Sequence, residues 1–198
     1  MSFNITNDKI NFLVILTLII VGILTRFIFI VSGESFLPNF TALGAIVLLS
    51  AVYLKGNGKV LVPLLALWIS DMILNNVVYS KYFDSYQLFG NLWVYLAYGI
   101  IIFCAWHLMK RISWSRIVGS SILIGVIFFL ITNFGVWISP HTPYPKTMIG
   151  LLECYAAGIP FFRNTILGNL FYSILLFGVY EYLLTRIPAL RPFRMINV

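Results

Sequence analysis

Apolar residues come in long blocks along this chain, and polar residues gather between them. The first block covers residues 10–31, with Arg26 as its one charged member. Others follow at residues 40–54, 60–78, 92–109, 117–138 and 165–185. A helix needs about 20 predominantly apolar residues to cross the hydrocarbon layer, and most of these blocks approach that length. The blocks lack the strict alternation of a half-buried strand and the one-sided stripe of a soluble helix. They predict an all-α polytopic membrane protein with about six transmembrane helices, each bonding its backbone internally.

The longest connection is residues 139–164. It holds a shorter apolar stretch, residues 147–159, bracketed by Pro145 and Pro160. That length predicts a short interfacial or re-entrant helix rather than a crossing. No internal repeat or low-complexity tract breaks the chain, so residues 1–198 read as a single membrane domain. The polar start (Asn4, Thr6, Asn7, Asp8) ahead of so long a block predicts a retained first helix, not a cleaved leader.

Composition agrees and excludes other classes. Hydrophobic residues make up 61% of the chain and charged residues 10%, where a soluble domain carries about 25% charge. A soluble enzyme, a disordered tail and a disulfide scaffold are all excluded. Cys104 and Cys154 have no C-x-x-C spacing and read as small buried hydrophobes. The net charge of +7 reports orientation. With six crossings, Lys9, Lys55, Lys59, Lys110, Arg111, Arg116, Arg186, Arg191 and Arg194 share one side, and Arg26, Lys81, Lys146 and Arg163 the other. That bias predicts both termini in the cytoplasm. So dispersed a basic set does not suit nucleic acid.

Polar groups within apolar blocks are costly and pose functional questions. Trp68, Asp71 and Asn75 recur at helical spacing on the outward half of the third block. Two readings stand open for Asp71: a ligand contact, or a bond to a neighbouring helix that fixes packing. Asn133 and Trp137 share a face near the outer end of the fifth block, followed by a stiff loop with Pro140, Pro143 and Pro145. Glu153 and Arg163 bracket a Gly158/Pro160 break, with Asn164 or Thr165 placed to cap the sixth helix. Arg163 there calls for a partner, either Glu153 in an ion pair or an anionic ligand group. His107 and His141 fall on opposite sides, so neither a metal site nor a cofactor is expected.

Several strings together carry a resemblance. Leu37-Pro-Asn-Phe-Thr-Ala-Leu-Gly-Ala45, Trp68-Ile-Ser-Asp71, Thr132-Asn-Phe-Gly-Val-Trp137, Tyr144-Pro-Lys-Thr147 and Pro160-Phe-Phe-Arg-Asn-Thr165 resemble an uncharacterised bacterial six-helix membrane family. More distantly, that family resembles the substrate-binding S components of energy-coupling-factor vitamin transporters. The resemblance implies six helices, both termini inside the bacterial inner membrane, and a ligand near the outer face. It also implies a coupling transmembrane subunit with ATPases as partner. S components carry Ala-x-x-x-Ala spacing on the first helix for docking, and the first block here, with Gly22 and Thr25, has no such pair.

The leading expectation is therefore a small-molecule-binding subunit of an importer for a vitamin-like or cofactor-precursor compound. Its candidate ligand contacts are Asn39, Trp68, Asp71, Asn133, Trp137, Glu153, Arg163 and Asn164. Asp71 and Glu153 would receive donors, Arg163 an anionic group, and the two tryptophans would sandwich a ring. A structural or assembly protein without a ligand is the alternative. An intramembrane enzyme using Asp71, Glu153 and His141 is less favoured, since H-E-x-x-H and G-x-S-x-G are both absent from the sequence. There is no Walker A loop, so energy for transport would come from a partner or an ion gradient.

Overall fold

A computed structural model describes residues 5–31 and 38–187. Among them the chain is all-helical, with six α-helices and no strand. They are α1 (Ile5–Val31), α2 (Leu43–Tyr53), α3 (Gly58–Ile73), α4 (Leu92–Leu108), α5 (Trp114–Ile138) and α6 (Met148–Arg186). A wider π-helical turn, Leu74–Val78, prolongs α3. Among the described residues, three stretches are long and apolar enough to cross a membrane: Gly58–Val78, Trp114–Ile138 and Met148–Arg186. At 11 and 17 residues, α2 and α4 are shorter.

The shortest helix forms the core. Every residue of α2 except Ala51 is buried, as expected for a helix that is apolar all round. It packs against α3, α4, α5 and α6. Close approach rests on small residues, the usual currency of helix packing where lipid is as apolar as leucine. A Cβ on Gly22 of α1 would lie 3.0 Å from Ile46 and 3.1 Å from Ala66. One on Gly168 of α6 would lie 3.0 Å from the Thr41 amide. Gly22 and Thr25 thus face inward: the Thr25 hydroxyl accepts from the Ala42 amide at 3.1 Å. The outward faces carry large apolar side chains, including Leu96, Ile100 and Phe103 on α4 and Leu167, Phe171 and Ile174 on α6. Exposed large apolar side chains in this number suit association with a membrane.

Contacts fix the helix directions. Phe40 stacks near Tyr172, and Tyr53 near Phe177 and Tyr180, so α2 and α6 run parallel. The α5–α6 pair is antiparallel, with Ser121 bonded to Ser173 at 2.9 Å and Tyr155 donating to the Leu130 carbonyl at 2.8 Å. Trp93 at the start of α4 meets Gly135 and Phe134 at the end of α5. Arg26 of α1 reaches Ser70 and Asp71 of α3, while Gly22 lies beside Ala66, so α1 and α3 run together. Lys55, Lys59, Lys110, Arg111, Arg116 and Arg186 therefore gather at one end.

One expectation is corrected. Residues 147–159 are not a separate interfacial or re-entrant helix; they are the first part of α6, which runs unbroken for 39 residues through Pro160. Its true N-terminus is at Thr147, whose hydroxyl accepts from the Gly150 amide at 3.2 Å. The sequence signal was Pro160, read as a stop. Proline is tolerated in helices held by neighbours, and here Cys154, Tyr155 and Gly158 pin this half of α6 to α5.

Candidate functional site

The bundle end opposite the basic cluster is closed by two connections. Residues 79–91 are held by α3. The Trp68 indole donates to the Leu88 carbonyl at 2.9 Å, Asn75 to the Phe89 carbonyl at 3.3 Å, and Asn76 exchanges two bonds of 2.7 and 2.8 Å with the Gln87 backbone. The widened turn at residues 74–78 is what sets adjacent asparagines against one extended segment. Residues 139–147 form the second strap. The Trp137 indole donates to the Pro145 carbonyl at 2.9 Å. Lys146 returns to the Trp137 and Ser139 carbonyls at the end of α5, where a cation complements the helix dipole.

Beneath these straps lies a two-chambered cavity. The outer chamber, about 350 Å³, is lined by Asn91, Thr132, Asn133, Tyr144 and Cys154 among apolar Val94, Val136, Ala157 and Phe161. The inner chamber, about 100 Å³, reaches Arg26, Thr41, Gly44, Tyr98, Thr165 and Asn169. Asn39, Val94 and Phe128 line both, so the two chambers adjoin. Asn39 has φ 67°, a left-handed conformation that asparagine tolerates better than most residues. It places the Pro38–Asn39 turn over the junction and sends the chain into α2.

Polar groups around the cavity are partly committed. Asn133 donates to the Phe129 carbonyl at 2.9 Å and Asn169 to the Ser121 carbonyl at 3.2 Å. Those bonds orient both amides, whose oxygens lie against Gly158 and Gly44 respectively. Among the described residues, Arg26 is the one charged side chain lining either chamber. Among the described residues its hydrogen bonds all run from Nη1: to the Asp71 carboxylate, the Ser70 hydroxyl at 2.6 Å and the Leu67 carbonyl at 3.4 Å. Asp71 is buried beside Gly90 and lies outside the cavity wall.

The candidate contacts thus separate. Asn39 and Asn133 line the cavity. Trp68 and Trp137 flank the bundle end with their indole N–H groups bound to loop carbonyls, so they do not form two faces of one sandwich. Glu153 and Arg163 are exposed and ten positions apart on one helix, about 15 Å along its axis. They make no ion pair, and the Arg26–Asp71 pair is the one among the described residues. Arg163 sits inside α6, not at an N-terminus, so Asn164 and Thr165 cap nothing there. Thr165 instead donates to the Phe161 carbonyl at 2.9 Å. At 100° per residue, Arg163 points away from Cys154, Phe161, Thr165 and Asn169, the cavity face of α6. Half-exposed Asn164 lies on the flank of that helix.

In the sequence, Arg26 counts only among the charges that report orientation. Its lone position in an apolar block was the available signal. Asn169 and Thr165, four apart, share its chamber, and that spacing on one helix face was the other.

Searches of curated proteins and of solved structures returned no match. The model of a family of unknown function, DUF6580, matches residues 6–190, and the chain belongs to that family.

Proposed function

We propose that the protein is a membrane-embedded small-molecule-binding subunit of an importer, set in a bacterial inner membrane with both termini inside. The observation that carries this reading is the cavity: largely apolar walls with a few polar groups and, among the described residues, one cation, set between helices whose outer faces are apolar. A pocket with mainly apolar walls and a few fixed polar groups is the usual form of a small-molecule site. The alternating helix directions and the basic residues at one end support six crossings and a cytoplasmic end opposite the cavity. The short helices α2 and α4 fit that arrangement, since α2 is shielded from lipid by its neighbours. The loop-binding roles of Trp68, Asn75, Asn76 and Trp137 favour packing for those residues in particular, as an assembly protein would require.

The resemblance to S components supplies the class of cargo, a vitamin-like or cofactor-precursor compound, and a coupling subunit with ATPases as partner. Since Gly22 and Thr25 are packed inside the bundle, such a partner would dock elsewhere. Binding rather than catalysis is the reading throughout. Native mass spectrometry of the full chain purified from its own membrane tests it. A co-purifying compound below about 500 Da is expected, lost on Ala157→Trp, which fills the outer chamber, while the thermal midpoint holds. A protein free of any small molecule, or one whose retention ignores Ala157→Trp, overturns the reading.

A further inference from the structure

We infer that the inner chamber recognises a carboxylate, so that the ligand is a small monocarboxylic acid with a flat, mainly apolar body. This rests on the cavity being a ligand site. Arg26 lines the inner chamber, and its hydrogen bonds to the described residues all run from Nη1. Its Nε and Nη2 donors have no protein partner among the described residues. Those two nitrogens form one edge of the guanidinium, with two parallel N–H donors at the spacing of two carboxylate oxygens. Asp71, Ser70 and Leu67 hold the other edge and so set the plane of the fork.

A second feature points the same way. The N-terminus of α2 opens into this chamber at Thr41, Leu43 and Gly44. It has no side-chain cap and no acidic residue in its first turn. The first helical bond is from the Ile46 amide to the Ala42 carbonyl at 2.9 Å, so the amides of Leu43, Gly44 and Ala45 precede it. A helix N-terminus carries about half a positive charge, which matters because Asp71 already balances Arg26. Among the described residues, neither chamber wall holds an acidic side chain. The free guanidinium edge adds two donors and the helix end a partial positive charge, a set that suits a monoanion. A phosphate monoester, with nearly two negative charges, exceeds that set. The inner chamber, about 100 Å³, holds a head group only. Val94, Phe128 and Phe161 then offer apolar surface to a flat body in the outer chamber.

Benzoate and its neutral isostere benzamide serve as probes, titrated calorimetrically into the purified full chain in detergent. Benzoate is expected to bind saturably and more than tenfold tighter than benzamide. Arg26→Lys keeps the charge but loses the fork, and should weaken benzoate at least tenfold. Arg26→Gln combined with Asp71→Asn removes both charges together and leaves no unpaired ion. It should fold, bind the two probes alike, and so erase the preference. Equal binding of both probes by the native chain, or benzoate binding unchanged in the double variant, overturns the inference. Binding of neither probe overturns it too. The cavity reading stands or falls separately, on the co-purified compound and its loss in Ala157→Trp.

Discussion

Arg26 and Asp71 join α1 to α3 through a partly buried ion pair, reinforced by the Ser70 hydroxyl at 2.6 Å from the same guanidinium nitrogen. Sequence left two options for Asp71, ligand contact or interhelical bond, and the geometry gives it an interhelical bond. Its ion partner comes from a helix 45 positions away. Removing one member of a buried pair leaves the other charge uncompensated, at a cost of about 3–5 kcal/mol. Asp71→Ala should therefore destabilise the fold by that order, and Arg26→Ala likewise. The double variant Arg26→Met/Asp71→Leu should cost less than the sum. Unfolding of the four proteins in mixed micelles measures the cycle. Additive losses would show that the pair is not coupled.

The strap over the bundle end depends on Asn76, which both donates to and accepts from the Gln87 backbone. Asn76→Ala removes both bonds and leaves the Gln87 amide without its acceptor. Amide exchange at Gln87 and its neighbours should accelerate by roughly tenfold or more, the equivalent of about 1.4 kcal/mol of local opening. Exchange within α5, which does not touch this strap's bonds, should stay unchanged.

Glycines divide into two groups with opposite expected responses. A Cβ on Gly44 would strike the Asn169 amide, and one on Gly158 the Asn133 amide. Alanine at either should destabilise by about 1–3 kcal/mol, the usual cost of overpacking. Gly99 and Gly119, also helical, have nothing within 4 Å of the corresponding position. Alanine there should be neutral or stabilising by up to about 1 kcal/mol. Thermal midpoints of the four variants test the contrast, and a loss at Gly99 would point to a surface that is covered in the membrane.

Lys146 closes the second strap by binding carbonyls at the end of α5. Lys146→Met keeps the aliphatic stem and removes the cation. A loss of about 0.3–1 kcal/mol is expected from the helix-dipole contribution, with greater protease sensitivity in residues 139–147. Unchanged cleavage would assign closure of the strap to the Trp137–Pro145 bond alone.

The limits of sequence reading are visible at particular residues. Block boundaries placed α4 and α5 within a few residues, because lipid-length hydrophobicity is a local property. Pro160 misled, because a proline's effect on a helix depends on what neighbours supply, and α5 supplies it. Asn39 and Asn133 were legible as polar residues out of place. Arg26 was legible in the same way but was absorbed into the charge count. Glu153 and Arg163 stood close to a Gly/Pro break in the chain, yet a straight helix carries them about 15 Å apart on exposed positions.

By itself the sequence determined the all-helical class, the rough extent of α1 to α5, and the order of the basic residues along the chain. These follow from hydropathy and charge order, which act residue by residue along the chain. Only the tertiary structure decided which charge answers Asp71, which tryptophans serve loops, and which asparagines surround a cavity. Those depend on the side on which each helix meets its neighbours, and small residues such as Gly44, Gly158 and Gly168 set that contact by steric fit between segments far apart in the chain.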